Sequence, residues 1–276
     1  MKKAFLFICL ATVLFVACKS DQSQTKREQI SAASTQASPF VLAGQWIAMD
    51  FCARANQYGS VLGAMNNAHV PYAYAFEFLP DLADSVICYD GNRSWKLAVK
   101  YKRDTLEFQN AFEGKSIFAI YHSQGEKDMT VFDGTKGRTR MDRYIKSSAN
   151  TADAFGAFMV ALHHNLFQGL MLPIGKGTSR DSLLFTPGGS ILKWKEYDTY
   201  RVCVTADCLT AKEPYDVIIL AKSDKPNSER RFAFRYNATN DTLTLYHLIP
   251  NRADEKAAHD IGGVAYRFRR IQPQQR

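Results

Sequence analysis

The chain has 276 residues, of which 46% are hydrophobic, 12% aromatic and 22% charged, a balance that excludes a disordered or collagen-like protein. The formal charge is +8, of which Lys2 and Lys3 supply two, leaving +6 for the rest. That excess favours anionic surfaces, but it is not gathered into a basic array interleaved with aromatics, which excludes a nucleic-acid groove.

Lys2 and Lys3 precede an apolar run, Ala4 to Ala17, of 14 residues. It is too short to cross a hydrocarbon core of ~30 Å and reads as a signal peptide over 1–17. Phe15-Val16-Ala17-Cys18 at its end resembles the lipobox of bacterial lipoproteins. Ordinary signal-peptidase cleavage wants a small residue where Phe15 stands. The resemblance implies that Cys18 takes a diacylglycerol and becomes the first mature residue. Each buried methylene contributes about 0.8 kcal/mol, so two or three acyl chains bind the protein to a bilayer almost permanently. Lys19, rather than Asp, follows the cysteine, which implies the outer membrane of a Gram-negative envelope. Residues 18–39 are rich in Ser, Gln, Lys and Ala and read as a flexible tether with a reach of roughly 25 Å. Roughly 230 residues remain, and 40–271 is expected to form one β domain, since no Pro- or Gly-rich linker divides it.

The first element expected is a short helix over 54–67, with Tyr58, Leu62 and Met65 on one stripe. Past residue 70 apolar and polar residues alternate between turn signals, the pattern of half-buried antiparallel strands. Tyr72 to Phe78 is followed by Ser85 to Tyr89, Lys96 to Tyr101, Thr105 to Phe108, Ser116 to His122 and Asp128 to Phe132. Arg138, Arg140, Arg143 and Lys146 then form a basic run, read either as a solvated loop or as a contact with anionic headgroups. Phe155, Phe158, Leu162, Leu166 and Leu170 predict a long packed helix over 151–171, opened by Asn150 or Thr151. Strands resume at Ser182 to Phe185, Ile191 to Trp194, Thr199 to Val204, Tyr215 to Ala221, Arg231 to Tyr236, Thr242 to Leu248 and Val264 to Ile271. The fold class is therefore mainly β (α+β), an antiparallel barrel or half-barrel of about 8–12 strands with two helices. Asp-Thr-Leu recurs at 104–106 and 241–243, but nothing around it repeats.

Without Cys9 and Cys18, four cysteines remain: Cys52, Cys88, Cys203 and Cys208. In an exported chain an even number suggests two disulfides, with three possible pairings. A tight hairpin would bring Cys203 to Cys208, leaving Cys52 with Cys88; free buried thiols or a metal at the Cys-x4-Cys spacing are the alternatives.

Leu42-Ala43-Gly44-Gln45-Trp46 resembles the Gly-x-Trp of lipocalins, and Glu196-Tyr197-Asp198-Thr199-Tyr200 resembles their second motif. Lys222, closing the strand from Val217, stands where a lipocalin places an Arg. The resemblance, to a lipocalin or another calycin-type barrel, implies that Gly44 and Trp46 sit at a closed barrel end. It further implies that Lys222 packs near Trp46 and that Tyr197, Asp198 and Tyr200 are structural. A cup open to small apolar ligands goes with it. The half-barrel of outer-membrane lipoprotein carriers is the other shape such a sequence resembles.

No nucleophile elbow, zinc-binding His-Glu-x-x-His, phosphate-binding loop or dinucleotide fingerprint occurs, so no catalytic residue, metal or cofactor is assigned. Adjacent His163 and His164 point about 100° apart on their helix and do not chelate one ion from one face. The reading favoured is a membrane-anchored binding module for a hydrophobic or amphipathic molecule, with a cavity of at least ~300 Å³. A structural or interaction lipoprotein without a cavity is the alternative, and a hydrolase with an unrecognised site the third. The residues name no protein partner.

Overall fold

The computed structural model describes residues 37–65, 70–134, 139–175, 181–204, 215–250 and 259–271. Among these residues the alternating segments form sixteen strands in two antiparallel sheets, accompanied by four helices. The first sheet comprises β1 (Gly44–Ala48), β2 (Ala75–Phe78), β3 (Ser85–Tyr89), β4 (Ser94–Lys102), β5 (Thr105–Phe112), β6 (Lys115–His122), β7 (Asp128–Asp133) and β8 (Thr139–Lys146). Each strand pairs with the next, and β1 also pairs with β8, Trp46 opposite Lys146, so the sheet closes into a barrel. Closure leaves no exposed sheet edge.

The second sheet comprises β9 (Gly169–Pro173), β10 (Leu183–Phe185), β11 (Ile191–Leu192), β12 (Thr199–Val202), β13 (Asp216–Ala221), β14 (Arg230–Asn237), β15 (Thr242–Pro250) and β16 (His259–Ile271). Its order, β11-β10-β9-β16-β15-β14-β13-β12, is again an up-and-down meander. The two end strands meet at one bridge between Ser190 and Thr199. There Ile191 N–H donates to Asp198 O and Tyr200 N–H to Gly189 O, both at 2.7 Å.

Helix α1 (Pro39–Leu42) leads into β1, α2 (Met49–Tyr58) and α3 (Val61–Met65) lie between β1 and β2, and α4 (Ala154–Phe167) joins the two sheets. The two barrels are entered in the same way. Ala43 (φ −45°, ψ 129°) ends α1 and Gln168 (φ −53°, ψ 134°) ends α4. A glycine at φ 123°, Gly44, or φ 129°, Gly169, then turns the chain into the first strand. Two residues on, buried Trp46 and Met171 stand in register with a basic residue of the last strand, Lys146 or Arg270.

The observed elements depart from the expected ones at definite places. The thirteen segments read as strands are all found, and β1, β8 and β9 bring the total to sixteen, above the expected eight to twelve. Arg140, Arg143 and Lys146 of the basic run lie on strand β8, whose inward positions include Asp142, so its alternation is masked by a buried acid. The long helix spans Ala154–Phe167, not 151–171: Asp153 caps it by accepting Gly156 N–H at 2.7 Å, and Gly169 diverts Leu170 and Met171 into β9. The 54–67 helix begins five residues earlier and breaks at Gly59 into α2 and α3.

Both buried carboxylates of the core cap a helix from a distance. Nothing local caps α2; Asp142 of β8 instead accepts Asp50 N–H at 3.1 Å and the Arg54 guanidinium at 3.0 Å. Asp216 of β13 accepts Leu62 N–H at 2.9 Å at the start of α3. A carboxylate at a helix N-terminus satisfies orphan N–H groups and complements the positive end of the dipole. Burial pushes the Asp142 carboxyl up to about 7, against the lowering pull of Arg54, and raises Asp216 as well.

Candidate ligand-binding clefts

The middle of the first barrel is filled by side chains. Phe76 stacks on Phe108 with ring centroids 5.2 Å apart and meets Tyr144 at 4.7 Å, while Trp46 meets Tyr121 edge-on at 6.0 Å. The Tyr144 hydroxyl donates to Ala73 O and the Trp46 indole to Leu42 O at 2.7 Å, so these polar atoms are satisfied within the core. The second sheet is barrel-like, and Phe185, Phe234, Phe268 and Leu245 are all buried in its core.

Space opens instead at the mouth of the first barrel, at the end where β3 turns into β4 and β5 into β6. A cleft of about 620 Å³ is lined by Tyr72, Trp95, Leu97, Phe112, Val70 and Met141, with Asp90, Arg93 and Asn110 at its rim. Trp95 and Leu97 are inward positions of β4, and Phe112 is delivered by the irregular end of β5, where Asn110 takes φ 56°. Tyr72 is the hub: its ring meets Trp95 at 5.8 Å and Phe112 at 5.0 Å. The Tyr72 hydroxyl donates to Ala111 O at 3.0 Å and accepts the Trp95 indole N–H at 3.3 Å. Burial raises its pKa, so it stays a neutral donor. Arg93 lies over Trp95 at 5.3 Å and pairs with Asp90 at 3.1 Å, putting a cation beside the apolar wall.

The residues singled out by sequence are dispersed. Gly44 and Trp46 do sit at one end of a closed barrel, but Lys222 belongs to the other barrel, where its ammonium pairs with Asp198 at 3.2 Å. The implied Trp46 and Lys222 pair is therefore replaced by Trp46 against Tyr121 and by an Asp198 cluster that also accepts Ser223 N–H at 2.7 Å. Those bonds hold the Asp198 carboxyl below its ordinary range. Tyr200 is buried with its hydroxyl on Thr186 O at 2.7 Å, and Tyr197 packs edge-on to Trp194 at 5.1 Å.

Cys52 and Cys88 are free buried thiols, which corrects the expected second disulfide: one lies on the packed face of α2, the other points into the barrel from β3. Burial raises both thiol pKa values, so neither is a reactive thiolate. Cys203 is disulfide-bonded, with its partner outside the described residues, as Cys18 and Cys208 also are. Of the basic run, Arg140 pairs with Asp50, and Arg143 with Asp50 at 3.4 Å and Asp128 at 3.5 Å. Lys146 is exposed, its stem lying over Gly44, and Arg138 lies outside the described residues.

His163 and His164 separate as expected of neighbours on a helix. His163 is buried; its Nδ1 lies 3.1 Å from Pro187 O and its Nε2 accepts Val202 N–H at 3.3 Å. His164 is exposed. Sequence reading missed the mouth cleft because Tyr72, Trp95 and Phe112 come from three separate segments. The aromatic content was a signal, but it did not separate a filled core from a lined cleft.

Comparison with protein families, with curated proteins and with solved structures finds no match. The geometry alone therefore carries the functional reading.

Proposed function

We propose that this chain is an acylated lipoprotein of the cell envelope and that its first barrel binds a small amphipathic molecule at an aromatic mouth. The supporting observation is the Tyr72, Trp95 and Phe112 cleft with Arg93 at its rim: rings and aliphatic side chains suit an apolar body, and the guanidinium suits an acidic head. The bound molecule sits in the mouth and not in a hollow middle, which Phe76, Phe108 and Tyr144 occupy. The sequence of residues 1–18 supports the anchor. Replacing Cys18 by Ala should move the protein from the membrane to the soluble fraction; retention on the membrane removes the anchor.

The described residues lie within the unit Thr35–Arg276, so a chain beginning at Lys19 keeps both barrels. Titration of that chain with anilinonaphthalene sulfonate, an apolar anion, should give saturable binding. Trp95→Ala should weaken it about tenfold, the loss of one ring contact worth ~1 kcal/mol or more. Equal affinity in Trp95→Ala and in a Leu97→Trp variant that fills the cleft would remove the mouth as the site. The packed interiors favour a second reading, an interaction lipoprotein with no small ligand, for which the dye shows no saturable binding.

A further inference from the structure

We infer that the outer face of the second barrel carries a separate binding site for a phosphoryl group, formed by Arg235 and Arg267. Strands β14, β15 and β16 place Arg235, Thr244 and Arg267 on one register row. Neighbouring antiparallel strands are about 5 Å apart, so the two arginine Cα atoms stand roughly 10 Å apart with Thr244 between them. Two guanidiniums at that spacing can converge on one tetrahedral oxyanion from either side, each with a fork of N–H donors.

The row lies in a cleft of about 650 Å³ that the fold makes concave. One wall is the end of α2, Gln57 and Tyr58, and another is Ile174, held beside β16 by its N–H on Arg267 O at 2.9 Å. Asn237, Thr242 and Thr244 add neutral hydrogen-bonding groups, and among the described residues no carboxylate lines the cleft. Among the described residues neither arginine has an acidic partner; Arg235 lies over the Tyr246 ring at 5.7 Å. Asp241, in the adjoining turn, is engaged by the Tyr236 hydroxyl at 2.5 Å. The contrast with the first barrel is instructive, because there Arg140 and Arg143 are consumed by Asp50 and Asp128. A concave site with two unopposed guanidiniums and a floor of hydroxyls and amides suits a phosphomonoester carried on a polyhydroxylated body, either a sugar phosphate or the headgroup of a lipid.

The site is independent of the aromatic mouth and is tested separately. Calorimetric titration of the full chain in neutral detergent with glucose 6-phosphate, glycerol 3-phosphate, inorganic phosphate and glucose should give binding to the phosphates that weakens as salt is raised, and none to glucose. Arg235→Gln and Arg267→Gln should each weaken phosphate binding about tenfold, the scale of one charge-assisted pair. Lys100→Gln, at an exposed position of the first barrel, should leave it unchanged. A preference for glucose 6-phosphate identifies a phosphosugar site and a preference for glycerol 3-phosphate a lipid-headgroup site. Undiminished binding by both arginine variants, with melting unchanged, overturns the inference, as does absence of phosphate binding or equal binding of glucose.

Discussion

His163 shows how one buried side chain can tie two distant segments together. With Nε2 accepting from Val202 N–H, the proton must sit on Nδ1, which then donates to Pro187 O. Only the neutral ring satisfies both bonds, and burial lowers its pKa to about 4 from an ordinary 6.5. The unfolded chain therefore takes up a proton between pH 6.5 and 4 that the folded chain refuses. The His163 contribution to stability is fully present above pH 6.5, falls as pH drops through that window, and is level below about 4. A shift of this size corresponds to about 3 kcal/mol. Between pH 7 and pH 4.5 the His163 effect lowers the melting temperature while the raised Asp142 and Asp216 carboxyls act in the opposite sense, so His163 is read as a difference: His163→Gln, less stable at pH 7, should close that gap to wild type as the pH falls to 4.5. An identical slope in the variant would assign the acid sensitivity to other groups.

At the scale of elements, the sequence discloses strands where their two faces differ and conceals them where long-range contacts decide. Ser85–Tyr89 is legible to the residue, and β4 to β7 nearly so, because a filled barrel with a wet exterior enforces a period of two. Strand β8 is hidden by inward Asp142, whose burial makes sense only with α2 above it. Strand β9 is hidden because Leu162, Leu166 and Leu170 keep helical spacing past the point where Gly169 turns the chain. The mouth cleft is illegible for the same reason, since its rings converge only through strand register. The repeated entry of the two barrels is invisible as well: Gly44-Gln45-Trp46 and Gly169-Leu170-Met171 share only the glycine. That glycine is where the constraint lies. An L-residue at φ near +125° is strained by ~1–3 kcal/mol, so Gly44→Ala and Gly169→Ala should destabilise by comparable amounts. A Cβ on Gly169 would meet Arg270 Cγ at 3.8 Å, ordinary contact, whereas one on Gly44 would come within 2.8 Å of the flexible Lys146 stem. Chemical denaturation of both variants checks this; wild-type stability in either would show that the backbone there tolerates a side chain.

The whole molecule depends on α4 serving both barrels. Its Phe158 stacks on Tyr74 at 4.7 Å and meets Phe51 of α2 at 5.9 Å, while Phe167 at its far end meets Phe234 of the second barrel at 5.1 Å. The Tyr74 hydroxyl donates to Val204 O at 3.1 Å, and Asp216 of β13 caps α3, so the helical layer is bonded to both sheets. Neither barrel can lose its core without exposing α4, which predicts one cooperative transition rather than two. Deleting the Phe158 ring should cost about 3–5 kcal/mol, about 2–4 °C of melting temperature per kcal/mol for a body of this size. The whole transition should move, not only its first half. Calorimetry of wild type and Phe158→Ala reads this directly, and fluorescence separates the barrels, since Trp46 and Trp95 lie in the first and Trp194 next to the core of the second. If the wild-type melt resolves into two steps, the barrels fold independently and α4 is a tether between them; if Phe158→Ala alone splits it, α4 is the coupling that makes them one.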